Sequence, residues 1–235
     1  AGAIEAYEQL LVEYPERPGN DQVLYQLARA YDLRGMSEEH LATLTTLVNE
    51  HPDSPFWVEA QFRRGDLLFS NRRYTEAEQA FRTVIDADPA RRDDASFLVN
   101  AHYMLGWSQF KQGSYREALF SYINVLDLVM PEEQDVESVG QEYRTMMEDL
   151  FRVFGLSLSY LDGADTLQAI FRETGEKPYE ILVYDRYSDL LLEREQYTDA
   201  SDVFERYIDA RSLSPWAPRY HMRIIDTLAQ AGFPA

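Results

Sequence analysis

Tyr74-Thr75-Glu76-Ala77-Glu78-Gln79-Ala80-Phe81 is the stretch from which the rest of the chain can be read. Its pattern of aromatic, alanine and aromatic returns as Tyr115-x-x-Ala118-x-x-x-Tyr122 and Tyr197-x-x-Ala200-x-x-x-Phe204. A glycine stands twelve residues before the alanine in the first two, at Gly65 and Gly106, and Ser188 takes that place in the third. Pro15, Pro52 and Pro89 follow one another at a constant interval, since 52 − 15 and 89 − 52 are both 37. Between the prolines lie pairs of stretches with apolar residues at i, i+3, i+4 and i+7, joined by short polar turns. Ser70-Asn71-Arg72-Arg73 and Lys111-Gln112-Gly113-Ser114 are two such turns. The chain therefore repeats a two-helix unit.

Each element of the repeat has a steric reason. Gly65 and Gly106 stand where two helices of one hairpin cross, and a side chain there would push them apart. Ala77, Ala118 and Ala200 serve the same approach from the second helix. Phe81, Tyr122 and Phe204 fill the space between one hairpin and the next. The prolines cannot continue a helix and so end the second one.

This pattern of small residue, small residue, large aromatic and proline resembles the tetratricopeptide repeat, a helix–turn–helix unit of about 34 residues. The resemblance implies an all-α, right-handed superhelical solenoid of about six hairpins, in which each unit touches only its neighbours. The frame divides the chain into units at roughly 1–18, 19–55, 56–92, 93–135, 136–177 and 178–214, with a capping helix over 216–232, as one domain. The first unit is a second helix alone. The second carries His40 where the family prefers alanine, the fourth has extra residues at 90–94, and the fifth is degenerate, with Leu167 in place of the small residue. The fifth unit is thus expected to be an irregular joint. Pro131 to Glu137 is an acidic loop, either a solvated connection or a docking element.

Composition narrows the function. Twenty-two Lys and Arg against 41 Asp and Glu give a charge of −19, which argues against nucleic acid and anionic membrane surfaces as partners. There is no cysteine, so disulfides, thiolate metal sites and a cysteine nucleophile are excluded. No apolar run is long enough to span a bilayer. The opening residues, Ala1-Gly2-Ala3-Ile4-Glu5-Ala6-Tyr7, read as the middle of an amphipathic helix, and the stretch is expected to belong to a longer chain. His40, His51, His102 and His221 have no partner at i+4, as a helical zinc pair requires. Phosphate-binding and nucleophile-elbow motifs are absent. No catalysis, cofactor or metal is expected.

The family resemblance implies that the first helix of each hairpin lines a concave surface. Carried over residue by residue, its contact positions are Gln22, Tyr25, Arg29, Asp32 and Leu33, then Glu59, Phe62, Asp66, Phe69 and Ser70, then Asn100, Tyr103, Trp107, Phe110 and Lys111. Of these, Tyr25, Arg29, Phe62, Phe69, Asn100, Tyr103, Trp107, Phe110 and Lys111 are the expected partner-binding residues. A ladder of rings suits a peptide, because rings give large contact area at small entropic cost; the same rings also suit packing between hairpins. Grip on an acidic tail is disfavoured by the net charge and by Asp32, Glu59 and Asp66 among the contact positions. The expected partner is a neutral or basic protein or peptide, and the alternative is self-association as a homo-oligomer. Tyr14-Pro15, His51-Pro52-Asp53-Ser54-Pro55 and Phe62-Arg63-Arg64-Gly65-Asp66 resemble segments of the periplasmic Tol-Pal coordinator and of outer-membrane assembly lipoproteins. That resemblance implies a periplasmic scaffold of the bacterial cell envelope.

Overall fold

The computed structural model describes residues 2–89, 95–130, 132 and 139–232. The extension at 90–94 and, apart from residue 132, the acidic loop at 131–137 lie outside the described residues. Among the described residues the chain forms twelve α-helices and no strand. It divides into two compact units, residues 1–113 and 114–235. The first holds α1 (Ala3–Glu13), α2 (Asn20–Leu33), α3 (Ser37–Glu50), α4 (Trp57–Ser70), α5 (Tyr74–Ile85) and α6 (Ala95–Lys111). The second holds α7 (Tyr115–Val129), α8 (Gln141–Ser159), α9 (Gly163–Thr174), α10 (Glu180–Glu193), α11 (Tyr197–Ala210) and α12 (Ala217–Gln230).

In the first unit each helix packs on the next in chain order, and α4 also touches α6. The core is built from the residues whose spacing marked the repeat. Ala77 and Phe81 are fully buried, and they cluster with Leu68, Ala80 and, from the following helix, Leu105. Phe81 therefore seals its own hairpin and the next helix at once. A Cβ on Gly65 would stand 2.7 Å from the Phe81 ring, so the glycine is required by close approach. His40, at the position of a small residue, is buried, and burial lowers its pKa; its Nδ1 lies 3.6 Å from an Asp32 carboxylate oxygen. Pro15 and Pro52 act where expected: the helix-ending residues Tyr14 and His51 close on the carbonyls of Leu10 and Leu47, and the prolines follow, whereas α5 ends at Ile85, before Pro89 is reached.

The second unit keeps the fully buried Ala200, Phe204, Phe171, Tyr184 and Tyr220 but changes the pairing. α9 packs mainly on α11, and α8 on α7 and α10, so the two helices of the degenerate hairpin share little contact. Leu167, at the place of a small residue in α9, is fully buried. Gly155 on α8 faces Leu190 of α10, whose Cδ2 lies 2.5 Å from where a Cβ would stand.

The hairpin turns share one backbone device. Gly35, Arg72, Gly113 and Glu195 each sit at positive φ, 67°, 60°, 81° and 59°. Where the residue after it is Met36, Arg73 or Gln196, its N–H reaches back to the carbonyl of Tyr31, Leu68 or Leu191, the bond that ends a helix on a left-handed residue. Glycine holds that conformation without strain; arginine and glutamate do not. Arg72→Gly and Glu195→Gly are each expected to stabilise the protein by about 0.5–1 kcal/mol in urea unfolding. Gly65→Ala, which drives a Cβ into a buried ring, is expected to cost about 1–3 kcal/mol. Gly155→Ala meets the flexible end of a leucine and should cost clearly less in the same assay.

Candidate functional site

The expected binding residues all fall in the first unit, on α2, α4 and α6, the first helices of its hairpins. Four groups of contacts order them. Tyr25 stacks on Phe56 with ring centres 4.4 Å apart, and the Arg29 guanidinium lies 6.0 Å from the Tyr25 ring centre. The Tyr25 hydroxyl donates to Glu59 Oε2 at 2.9 Å, and Arg63 Nε donates to Glu59 Oε1 at 2.7 Å. Burial, then the bond to Glu59, pushes the Tyr25 phenol up from its ordinary value. This group ties α2 to α4.

Phe62 meets Phe81 and Phe97 edge to face at 5.6 and 5.8 Å, and is packed into the clusters between α4, α5 and α6. It is half-buried and serves as a wall of the hairpin stack as well as of its surface. Phe69 packs edge to face on Tyr74, the first residue of α5, at 5.3 Å. On α6, Trp107 and Phe110 meet edge to face at 5.7 Å, and the Lys111 ammonium sits 5.2 Å from the Trp107 ring centre. Asn100 and Tyr103 occupy the earlier turns of α6, both half-buried. The rings therefore form successive pairs, each anchored by a neighbour. Sequence reasoning missed Phe56, Tyr74, Phe97 and Arg63. Only Arg63 left a signal, its spacing of four from Glu59, which marks neighbours on one helix face.

The electrostatics of these helices differ from those of the chain. α2, α4 and α6 carry four cations, Arg29, Arg63, Arg64 and Lys111, against four acids, Asp21, Asp32, Glu59 and Asp66. The second helices α1, α3 and α5 carry Glu5, Glu8, Glu13, Glu38, Glu39, Glu50, Glu76 and Glu78 against Arg82 alone. The acidity of the first unit thus lies on its second helices, and its first helices are balanced.

Asp66 stands out within that balance. Burial pushes its carboxyl from 3.8 up to about 6, against the pull of Arg63, and among the described residues no hydrogen-bond donor serves it. Among the described residues no group of three or more His, Asp or Glu could hold a metal ion, and no helix is long and apolar enough to cross a membrane.

Residues 22–54 and 41–92 match two models described as tetratricopeptide repeat. The fold is similar to that of the MamA RS-1 ArsTM double mutant, at 18% identity over 83% of this chain and 88% of that one, with a TM-score of 0.50. It is also similar to a tetratricopeptide repeat protein from Parabacteroides merdae ATCC 43184, at 14% identity over 98% of this chain and 86% of that one, with a TM-score of 0.51. No curated protein sequence matches the chain significantly. Tetratricopeptide repeats are present, and the fold is the all-α hairpin solenoid read from the sequence.

Because the folded-state pKa of Asp66 lies above its unfolded value, the folded state holds that proton more tightly between about pH 4 and 6. Its cost is absent below that range and fully present above it. Asp66→Asn is therefore expected to stabilise the protein by roughly 1–3 kcal/mol at pH 7, after allowance for partial exposure. The gain should vanish near pH 4 when urea midpoints of the two proteins are compared.

Proposed function

We propose that this chain is a non-catalytic scaffold that binds a protein partner, as a peptide segment, on the α2, α4 and α6 face of its first unit. One observation carries the reading. In a chain of charge −19, this face alone in the unit combines balanced charge with half-buried rings, namely Phe62, Phe69, Tyr103, Trp107 and Phe110. Rings already held by their neighbours lose little freedom on binding and offer large apolar area. The partner segment is neutral or basic: Asp66, half-buried and without a hydrogen-bond donor among the described residues, is favoured by a cation. A strongly acidic segment would have to approach past the glutamates of α1, α3 and α5. The resemblance of Tyr14-Pro15, His51–Pro55 and Phe62–Asp66 to segments of the periplasmic Tol-Pal coordinator and of outer-membrane assembly lipoproteins is what supports a place in the periplasm of the bacterial cell envelope.

A second reading, self-association, draws support from α12. It buries Tyr220 and Thr227 but leaves Met222 57% and Ile225 49% exposed; light scattering at two concentrations separates a monomer from an oligomer.

Photo-crosslinking in the cells that make the protein tests the main reading. With p-benzoylphenylalanine at position 110 or 103, a discrete partner adduct is expected in the periplasmic fraction. With the same probe at Glu38 or Glu50 on α3, none is expected. Trp107→Ala should abolish the adduct at 110 without loss of helicity by circular dichroism. Equal adducts on α2–α6 and α3 positions would refute the assignment of the face, and a cytoplasmic adduct would refute the location.

A further inference from the structure

The second unit holds two cavities that share one wall. The larger, about 590 Å³, opens between the α9–α10 and α11–α12 loops and is lined by Lys177, Glu180, Tyr207, Arg211, Ser214 and Trp216 among others. The smaller, about 430 Å³, is also lined by Glu180 and Arg211. Glu180 is 3% exposed, and Arg211 Nη2 donates to its Oε2 at 3.0 Å. A side-on fork would have paired two guanidinium nitrogens with two carboxylate oxygens. Here a single bond leaves Glu180 Oε1 and Arg211 Nε, both shielded from solvent, without a hydrogen-bond partner among the described residues. Of the neighbouring polar groups, the Tyr207 and Ser214 hydroxyls bond each other at 2.9 Å and Lys177 Nζ bonds Asp127 at 2.7 Å, and the Glu176 carboxylate, which also lines the larger cavity, has no donor to offer.

An unpaired acceptor and an unpaired donor on one buried ion pair define what complements them. A carboxylate ligand would repel Glu180 and an ammonium would repel Arg211, each at the cost of burying a further charge. A neutral group with a carbonyl beside an N–H satisfies both atoms at once, because it accepts from Nε and donates to Oε1. Tyr207, Trp216 and Ile181 supply apolar walls for the body that carries it, in a volume of the size that small-molecule and side-chain sites occupy. We propose that this cavity is a carboxamide-binding site, reading an Asn or Gln side chain of a partner segment through Arg211 Nε and Glu180 Oε1. Arg211, with 26% of its side chain exposed against 4% for Glu180, is the member that swings to admit the amide. The site lies in the second unit and stands independently of the face proposed for the first.

The test uses the full chain labelled with 5-fluorotryptophan, with the Trp216 signal assigned by Trp216→Phe and those of Trp57 and Trp107 as internal controls. Isobutyramide, its acid isobutyrate and its ketone analogue 3-methyl-2-butanone are titrated in turn. The amide is expected to shift the Trp216 fluorine signal saturably, at millimolar concentration for so small a probe. The ketone, which lacks the N–H, and the acid should bind at least about tenfold more weakly. Arg211→Lys keeps a cation opposite Glu180 and removes the Nε donor, and should weaken the amide about tenfold. If that variant loses helicity, the comparison of amide with ketone on the unaltered chain decides the matter. No saturable shift, equal binding of amide and ketone, or unchanged affinity in a folded Arg211→Lys variant would each overturn the proposal.

Discussion

The contact on which the first unit depends is the approach of α4 and α5 at Gly65 and Phe81. No Cβ fits at residue 65 because the Phe81 ring occupies that space. Phe81 in turn reaches Leu105 of α6. One ring thus couples the closure of a hairpin to the placing of the next helix, and the position of α6 follows from the absence of a side chain on α4. Nearest-neighbour coupling of this kind is what lets a solenoid be specified locally, unit by unit. The hairpin of α8 and α9 departs from this coupling, whereas α2 and α3 keep it with His40 at the small-residue position. Leu167 is as deeply buried as Ala77, yet the helices of its hairpin share little contact and α9 turns to α11.

That constraint shapes the surface. Phe62 contacts the same Phe81 ring that seals the hairpin, and Tyr25 lies against Phe56 at the head of α4. The rings on the first-helix face are the outer edges of the core, so their orientation is set by packing before any partner arrives. This lowers the entropic cost of association, because the rotamers are already restricted. It also limits what the face can lose, because truncation at Phe62 removes core as well as surface.

Much of this was legible in the sequence, because the repeat's signals are short-ranged. α1 and α3 end directly before Pro15 and Pro52, and Ala77, Ala118 and Ala200 are all fully buried. What escaped depends on residues far apart in the chain or on backbone conformation. The left-handed turn position is glycine at 35 and 113 but arginine at 72 and glutamate at 195, so composition marks only half of its occurrences. Gly155 is a helix glycine like Gly65, but its close neighbour is Leu190 of the next hairpin rather than a ring of its own. Asp66 reads as one more surface carboxylate until α4 is packed, and the Glu180–Arg211 pair joins residues 31 apart.

Charge placement links the fold to the proposed use. A solenoid cannot avoid presenting apolar edges, and a face rich in rings invites indiscriminate association. The glutamates of α1, α3 and α5 set a negative field around the first unit while leaving the ring-bearing helices balanced. Net charge of this size sets a repulsion that any self-association of the chain has to overcome. Under the proposed function, the balanced face leaves the choice of segment to short-range packing. Repulsion therefore acts at long range on everything acidic, this chain included, and shape acts at contact on what remains. In the first unit the acids lie on one set of helices and the rings on the other, an arrangement that the alternation of two helices makes available; α10 of the second unit, with Glu180, Asp185, Asp189 and Glu193 against Arg186, does not keep it.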